Sequence, residues 1–255
     1  MGNINTELSD GILRVELNRP ERKNALTGAM YDHLAEILNQ ADEDEMVRVV
    51  LWHGAGDSFT AGNDIQDFLS NPPASGGSPQ GRLTDAFIAF AKPLVAAVHG
   101  IAVGGGTTML THCDFVYAAV STRFQIPFVD LALVPEFGSS FSIPARAGHL
   151  RAAELFLLGQ PFTAQHAAEL GLVTRVVPDA ELLATATAIA RMLAAKPAGA
   201  LRASKRLIKQ AAVAQVREAV AMEAQEFVTR VRSVEAREAF SAFLEKRPPN
   251  FAKAA

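Results

Sequence analysis

The stretch Val98-His99-Gly100-Ile101-Ala102-Val103-Gly104-Gly105-Gly106-Thr107-Thr108-Met109 constrains the fold more than any other part of the chain. It follows the apolar run Pro93-Leu94-Val95-Ala96-Ala97-Val98 and precedes residues able to continue as a helix. That is the pattern of a buried strand feeding a tight turn and then a helix N-terminus. Glycine accepts positive φ and lets a ligand approach bare backbone, and the first turn of a helix leaves N–H groups unpaired. The turn therefore suits an anion or a developing oxyanion. It equally suits a helix packed close to its sheet, and the glycine triplet alone does not separate the two.

A chain of 255 residues buries a substantial core, as one larger domain or as a domain with an appended helical part. With 49% hydrophobic and 20% charged residues, wholesale disorder is excluded. No long uncharged apolar segment is free of glycine and histidine, so no membrane span is expected. The N-terminus lacks a basic region followed by an apolar core, so no signal peptide is expected either. The single cysteine, Cys113, excludes an intramolecular disulfide and suits a reducing compartment, which makes a cytoplasmic protein the expectation. A net charge of −3 gives no global attraction to nucleic acid, so an anionic ligand must be met by local basic residues.

Along the chain, alternation around an Asp10-Gly11 turn predicts a hairpin from Ile4 to Leu17. A basic loop, Asn18 to Leu26, leads to a helix capped by Thr27 with Met30, Leu34, Ile37, Leu38 and Ala41 on one face. Val47 to Trp52 reads as a buried strand, and the loop Gly54 to Ile65 after it contains a second set of glycines. Two glycine loops that each follow a buried strand are expected to converge on one site. Ser70 to Gly81, rich in Pro, Gly and Ser, reads as exposed and mobile. Helix from Leu83 to Phe90, strands at Cys113 to Ala119, Arg123 to Phe128 and Val173 to Val177, and a Thr163-capped helix ended by Gly171 follow. The remainder is helical, with stripes at Leu182 to Leu193, Leu201 to Ala211, Val216 to Val231 and Ala236 to Leu244.

These separated motifs, taken in order, resemble the crotonase superfamily, also called the enoyl-CoA hydratase/isomerase family. The resemblance runs from Asn18-Arg19-Pro20 through Ala61-Gly62-Asn63-Asp64-Ile65 and Gly104-Gly105-Gly106 to Gly171-Leu172-Val173 and the tail Phe243 to Pro248. It implies an α/β fold: a crotonase-like spiral of ββα units over residues 1–195, with a helical trimerisation region over 196–255 and assembly as a homotrimer or a dimer of trimers. It implies an acyl-CoA substrate and no separate cofactor. An enolate would be held by two backbone N–H groups, which by motif position belong to Asn63 and Gly105. The coenzyme would run past Arg22, Lys23, Ala25 and Leu26 and along Ala61, Gly62, Asp64 and Ile65, with Lys246, Arg247 and Phe251 reaching it from the C-terminal helix.

The departures from the family pattern narrow the chemistry. Hydratases of this family carry a glutamate two residues after the triple glycine and a second in the segment that here reads Ile126-Pro127-Phe128-Val129. This chain has Thr108 and Phe128 at those places, and neither can act as a carboxylate base. One carboxylate remains, in Leu131-Ala132-Leu133-Val134-Pro135-Glu136-Phe137-Gly138-Ser139-Ser140. The segment is similar to the one that carries the single catalytic glutamate of peroxisomal-type Δ3,Δ2-enoyl-CoA isomerases, which makes Glu136 the expected acid–base group. From position alone Glu136 also fits a helix-start glutamate. A wall of Phe128, Leu133, Phe137 and Phe141 would raise its pKa and a helix start would lower it, a balance the sequence leaves open.

Other residues carry weaker signals. Asp64 is expected to cap a helix beginning near Ile65. His99 and His112 have no third ligand at a metal spacing, so no metal site is expected. Ser139, Ser140 and Ser142 lack a nucleophile elbow. Asp114 and Asp130 are second acids available to a different crotonase reaction on a CoA thioester, hydration included. An RNA-binding homologue is the non-enzyme alternative, resting on Arg202, Lys205, Arg206 and Lys209, which read more simply as a solvated face opposite Leu201 and Ile208.

Overall fold

The computed structural model describes residues 2–71 and 77–253, Lys253 by its backbone alone. The chain opens on a hairpin, β1 (Ile4–Ser9) and β2 (Ile12–Leu17). Asp10 and Gly11 turn it with φ of 53° and 74°, the left-handed pair a two-residue hairpin turn requires. Helix α1 (Gly28–Glu43) starts as predicted, with the Met30 amide donating to the Thr27 hydroxyl. Strand β3 (Val49–Gly54) and helices α2 (Ile65–Ser70) and α3 (Pro79–Ala89) follow. Of the stretch expected to be mobile, 72–76 lie outside the described residues; Ser78 caps α3.

Strand β4 (Leu94–Val98) does not run directly into the glycine triplet. The chain turns at Gly100, φ 61°, and adds a short strand β5 (Ile101–Val103) before α4 (Gly105–Thr108). Strands β6 (Phe115–Ala119) and β7 (Arg123–Gln125) come next. Helices α5 (Ser139–Ala147) and α6 (His149–Leu158) meet at Gly148, and β8 (Phe162–Thr163) leads into α7 (Ala164–Glu169). Strand β9 (Arg175–Val177), α8 (Leu182–Ala194), α9 (Ala198–Val231) and α10 (Val234–Glu245) complete the chain.

The larger sheet has the order β1-β2-β3-β4-β6-β9, antiparallel at β1-β2 and parallel elsewhere; β5, β7 and β8 form a separate three-stranded sheet. Parallel strands buried on both faces read as unbroken apolar runs. Here Val49, Leu51, Val95 and Ala97 point to one face, where Ala186 and Ala190 of α8 cover them. Val50, Trp52, Leu94 and Ala96 point to the other, which packs with residues of α1 and α3. Among the described residues no helix is long and apolar enough to cross a membrane.

The two stripes expected at Leu201 to Ala211 and Val216 to Val231 belong to one 34-residue helix, α9. No glycine or proline interrupts it after Gly199, and the alanines between the stripes are strong helix formers. Its basic residues are not the solvated face that periodicity suggests. Ile208 is 79% exposed, whereas Lys205 is buried. The Lys205 ammonium donates to the Lys92 carbonyl at 2.6 Å and to Asp114 at 2.7 Å, and Lys209 donates to the Phe87 carbonyl at 3.1 Å. Half of the basic face weighed for RNA is therefore spent inside the fold, clamping α9 onto the end of α3.

Candidate active site

The two glycine loops do converge. Thr60 donates its amide to Ile101 and accepts from the Val103 amide, both at 3.1 Å, so the Thr60–Asp64 loop runs beside β5. Gly104 adopts φ 56° and ψ −123°, open to glycine alone, and its amide donates to the Gln125 carbonyl. At Gly62, φ 82°, a Cβ would enter the Val103 carbonyl, and that same point lies 3.8 Å from the Gly105 amide nitrogen. The glycines thus serve close packing and at the same time bring Asn63 beside Gly105. Among the described residues neither the Asn63 nor the Gly105 N–H is paired with an acceptor, and both residues line a cavity of about 660 Å³.

Glu136 stands at this junction. A Cβ on Gly105 would meet its Oε1 at 2.5 Å, Phe137 Cε2 at 3.2 Å and the Tyr31 hydroxyl at 3.3 Å. The Tyr31 hydroxyl donates to Asn63 Oδ1 at 2.6 Å, and Asn63 Nδ2 donates to Glu136 Oε1 at 3.3 Å. Glu136 also lines a second cavity of about 630 Å³, with Phe137, Val220, Glu223 and Phe227. Burial, reinforced by the Glu223 carboxylate and opposed by the Asn63 hydrogen bond, raises its pKa to about 8. Tyr31 is fully buried, and that burial, with Glu136 second, keeps its phenol well above the usual range.

The helix start that was expected to lower this pKa is taken by another group. Gly138 and Ser140 donate their amides to Glu223 at 2.7 and 2.8 Å, so the N-terminus of α5 is capped from α9. Glu136 precedes that cap, and burial dominates its titration. Phe137 and Gly138 both sit at positive φ, 64° and 67°, and His112 hydrogen-bonds the Phe137 carbonyl at 2.8 Å from beneath. Burial lowers the His112 pKa to about 4, so the ring is neutral, and it stacks on Phe87.

Of the residues expected along the coenzyme, Arg22, Ala25, Ala61, Asp64, Ile65 and Phe251 line the larger cavity, with Arg247 beside them. Lys23, Leu26, Gly62 and Lys246 do not, and each shapes backbone instead. Lys23, φ 50°, offers its carbonyl to the Ala61 amide; Leu26 is buried and donates to the Gly62 carbonyl; Lys246, φ 55°, closes α10. Arg247 is held by Glu238 and Glu245, both at 2.6 Å. Asp64 caps α2 through the Gln66 and Asp67 amides and pairs with Arg19 at 2.6 Å. Burial pushes the Asp64 pKa up, but the Arg19 bond and the two amides outweigh it and the value falls below normal. Phe128 and Leu133 line the larger cavity and Phe137 the smaller, whereas Phe141 lines neither. Asp130 borders the larger cavity, and Asp114 is occupied by Lys205.

Tyr31 and Glu223 escape the sequence reading. Both sit on buried helical faces, Tyr31 beside Met30 and Leu34, Glu223 between Val220 and Phe227. A carboxylate in register with an apolar stripe was the available signal for Glu223.

A family model for enoyl-CoA hydratase/isomerase matches residues 7–254. The chain is 36% identical to the 1,2-epoxyphenylacetyl-CoA isomerase of Escherichia coli, over 97% of each chain. It is 37% identical to the enoyl-CoA delta isomerase 2 of Rattus norvegicus over 78% of this chain, which spans 52% of that longer protein. The solved structure of Pseudomonas aeruginosa OdaA is 46% identical, covers 96% of this chain and 99% of its own, and superposes with a TM-score of 0.93.

Proposed function

The chain belongs to the enoyl-CoA hydratase/isomerase family, and on that premise we propose that it is a Δ3,Δ2-enoyl-CoA isomerase with Glu136 as its single acid–base group. One observation carries this reading. The buried Glu136 carboxyl stands against Gly105 and Asn63, while Thr108 and Phe128 occupy the places that the family resemblance gives to the two hydratase glutamates. Relatives named as isomerases are in keeping with this reading, beside others of similar identity that are named as hydratases.

In this mechanism the ionised Glu136 takes a proton from C2 of a 3-enoyl-CoA. The C2–H electron pair passes into the thioester carbonyl, giving a dienolate whose oxygen is held by the Asn63 and Gly105 amides. The same carboxyl returns its proton at C4, and the double bond comes to rest between C2 and C3. Loss of one preorganised oxyanion donor typically costs about 3 kcal/mol of transition-state stabilisation. A carboxyl poised near pH 8 is a stronger base than one at pH 4.5. Coenzyme A enters as part of the substrate, lying in the larger cavity along Arg22, Ala25, Ala61 and Ile65 under Phe251. We infer a homotrimer or a dimer of trimers, supported by the exposed apolar side chains of Leu207 and Ile208 on α9.

Glu136→Gln tests the reading. With 3-enoyl-CoA, turnover is expected to fall at least a thousandfold while CoA-ester binding persists, and the wild type is expected to hydrate 2-enoyl-CoA poorly. Near-wild-type turnover by the Gln variant would sink the assignment.

A further inference from the structure

We propose that Glu223 is a positioning residue for Glu136: its carboxylate braces the Phe137–Gly138 turn from α9 and faces the Glu136 carboxyl as a like charge, so it sets both the place and the ionisation range of the base. The proposal rests on the reading of Glu136 as the acid–base group. Its first support is geometric. Glu223 is buried and accepts both amides at the start of α5, which fixes the residues directly after Glu136. The turn needs that bracing, because Phe137 holds φ 64° without being glycine. Contact with α9 is close: a Cβ on Gly138 would meet Val216 Cγ1 at 3.0 Å and Val220 Cγ2 at 3.2 Å.

The second support is electrostatic. Glu136 and Glu223 line the same cavity and are both buried, where poor solvation strengthens repulsion between carboxylates. Few other charges compete. Tyr31 of α1 and Asn63 of the glycine loop face Glu136 as neutral groups, and His112 beneath Phe137 is neutral above about pH 4. Across the cavity, Arg82 of α3 is exposed and paired with Asp32, and Asp85 is exposed near Arg217. Burial and, after it, repulsion from Glu223 raise the Glu136 pKa, and burial raises that of Glu223 itself. Glu223 ionises first and is charged when Glu136 titrates, so neutralising Glu223 must lower the ionisation range of Glu136.

Infrared titration of the protonated-carboxyl bands tests this, each band assigned by its loss in Glu136→Gln or Glu223→Gln. In Glu223→Gln the Glu136 midpoint is expected to fall by about one pH unit. Glu223→Asp, which keeps the charge, is expected to restore part of that fall. Glu223→Asp also draws the charge back by one methylene, so a smaller fall of the Glu136 midpoint is expected there, and the test stands even if Glu223→Gln does not fold. An unmoved Glu136 midpoint in a folded Glu223 variant overturns the proposal, including the case of reduced turnover with an unshifted pH profile, which marks a merely structural residue. Turnover of 3-enoyl-CoA reads the underlying mechanism separately. Its acid limb is expected to follow the Glu136 midpoint downward in Glu223→Gln. A shifted midpoint with an unshifted limb upholds the coupling and retires Glu136 as the base.

Discussion

Burial of Glu136 carries a stability cost. Its carboxyl titrates near 4.5 in an exposed chain and at about 8 in the fold. Below pH 4.5 both states hold the proton and the fold has its full stability. Between 4.5 and 8 the unfolded chain releases the proton first, so stability falls as pH rises, by at most about 1.4 kcal/mol per unit. Glutamine cannot ionise. Chemical denaturation of Glu136→Gln against wild type is therefore expected to show a gap in favour of the variant that widens from pH 5 to pH 8; a constant gap would contradict the burial of a titrating carboxyl. His112 runs the other way, its neutral ring favouring the fold above pH 6.5 and losing that contribution as pH falls toward 4. That contribution is common to both proteins and cancels in the comparison.

At the scale of elements, α9 is the piece that ties the site to the core. Lys205 places its ammonium on the Lys92 carbonyl and on Asp114, which also accepts the Leu94 amide at 2.8 Å and so anchors the start of β4. Lys205→Met keeps the apolar stem and removes the charge. It is expected to cost about 2 kcal/mol in urea denaturation and to speed amide exchange in the first half of α9, because it leaves a partly buried carboxylate short of its partner; unchanged exchange would count against the clamp. This clamp was illegible in the sequence, whereas the caps at Thr27 and Thr163 and the Asp10-Gly11 turn were plain. Caps and turns are settled within a few residues, by a side chain meeting its own backbone. Lys205 and Glu223 are polar groups whose partners lie on distant elements, so a periodicity that counts charge as solvent-facing misplaces both. The glycine loops were legible for the opposite reason: bare backbone marks itself by composition. What composition did not reveal was the inserted β5, or which way the balance at Glu136 falls.

Across the whole molecule, two cavities of about 660 and 630 Å³ meet at the Asn63–Glu136 contact, one flanked by α10 and the other by α9. On the proposed reading, a CoA ester in the larger cavity is expected to present its reacting carbons where the smaller one begins. The same helix α9 carries Leu207 and Ile208, 66% and 79% exposed. If subunits pack there, Ile208→Glu is expected to shift sedimentation from trimer toward monomer at unchanged helical content; a wild-type profile would place the interface elsewhere. The single-base mechanism itself is tested most directly with a 3-enoyl-CoA deuterated at C2. One carboxyl serving both carbons is expected to carry part of the label to C4 of the 2-enoyl product, and Glu136→Gln is expected to abolish both turnover and transfer. Full turnover by Glu136→Gln, with label still reaching C4, would contradict it.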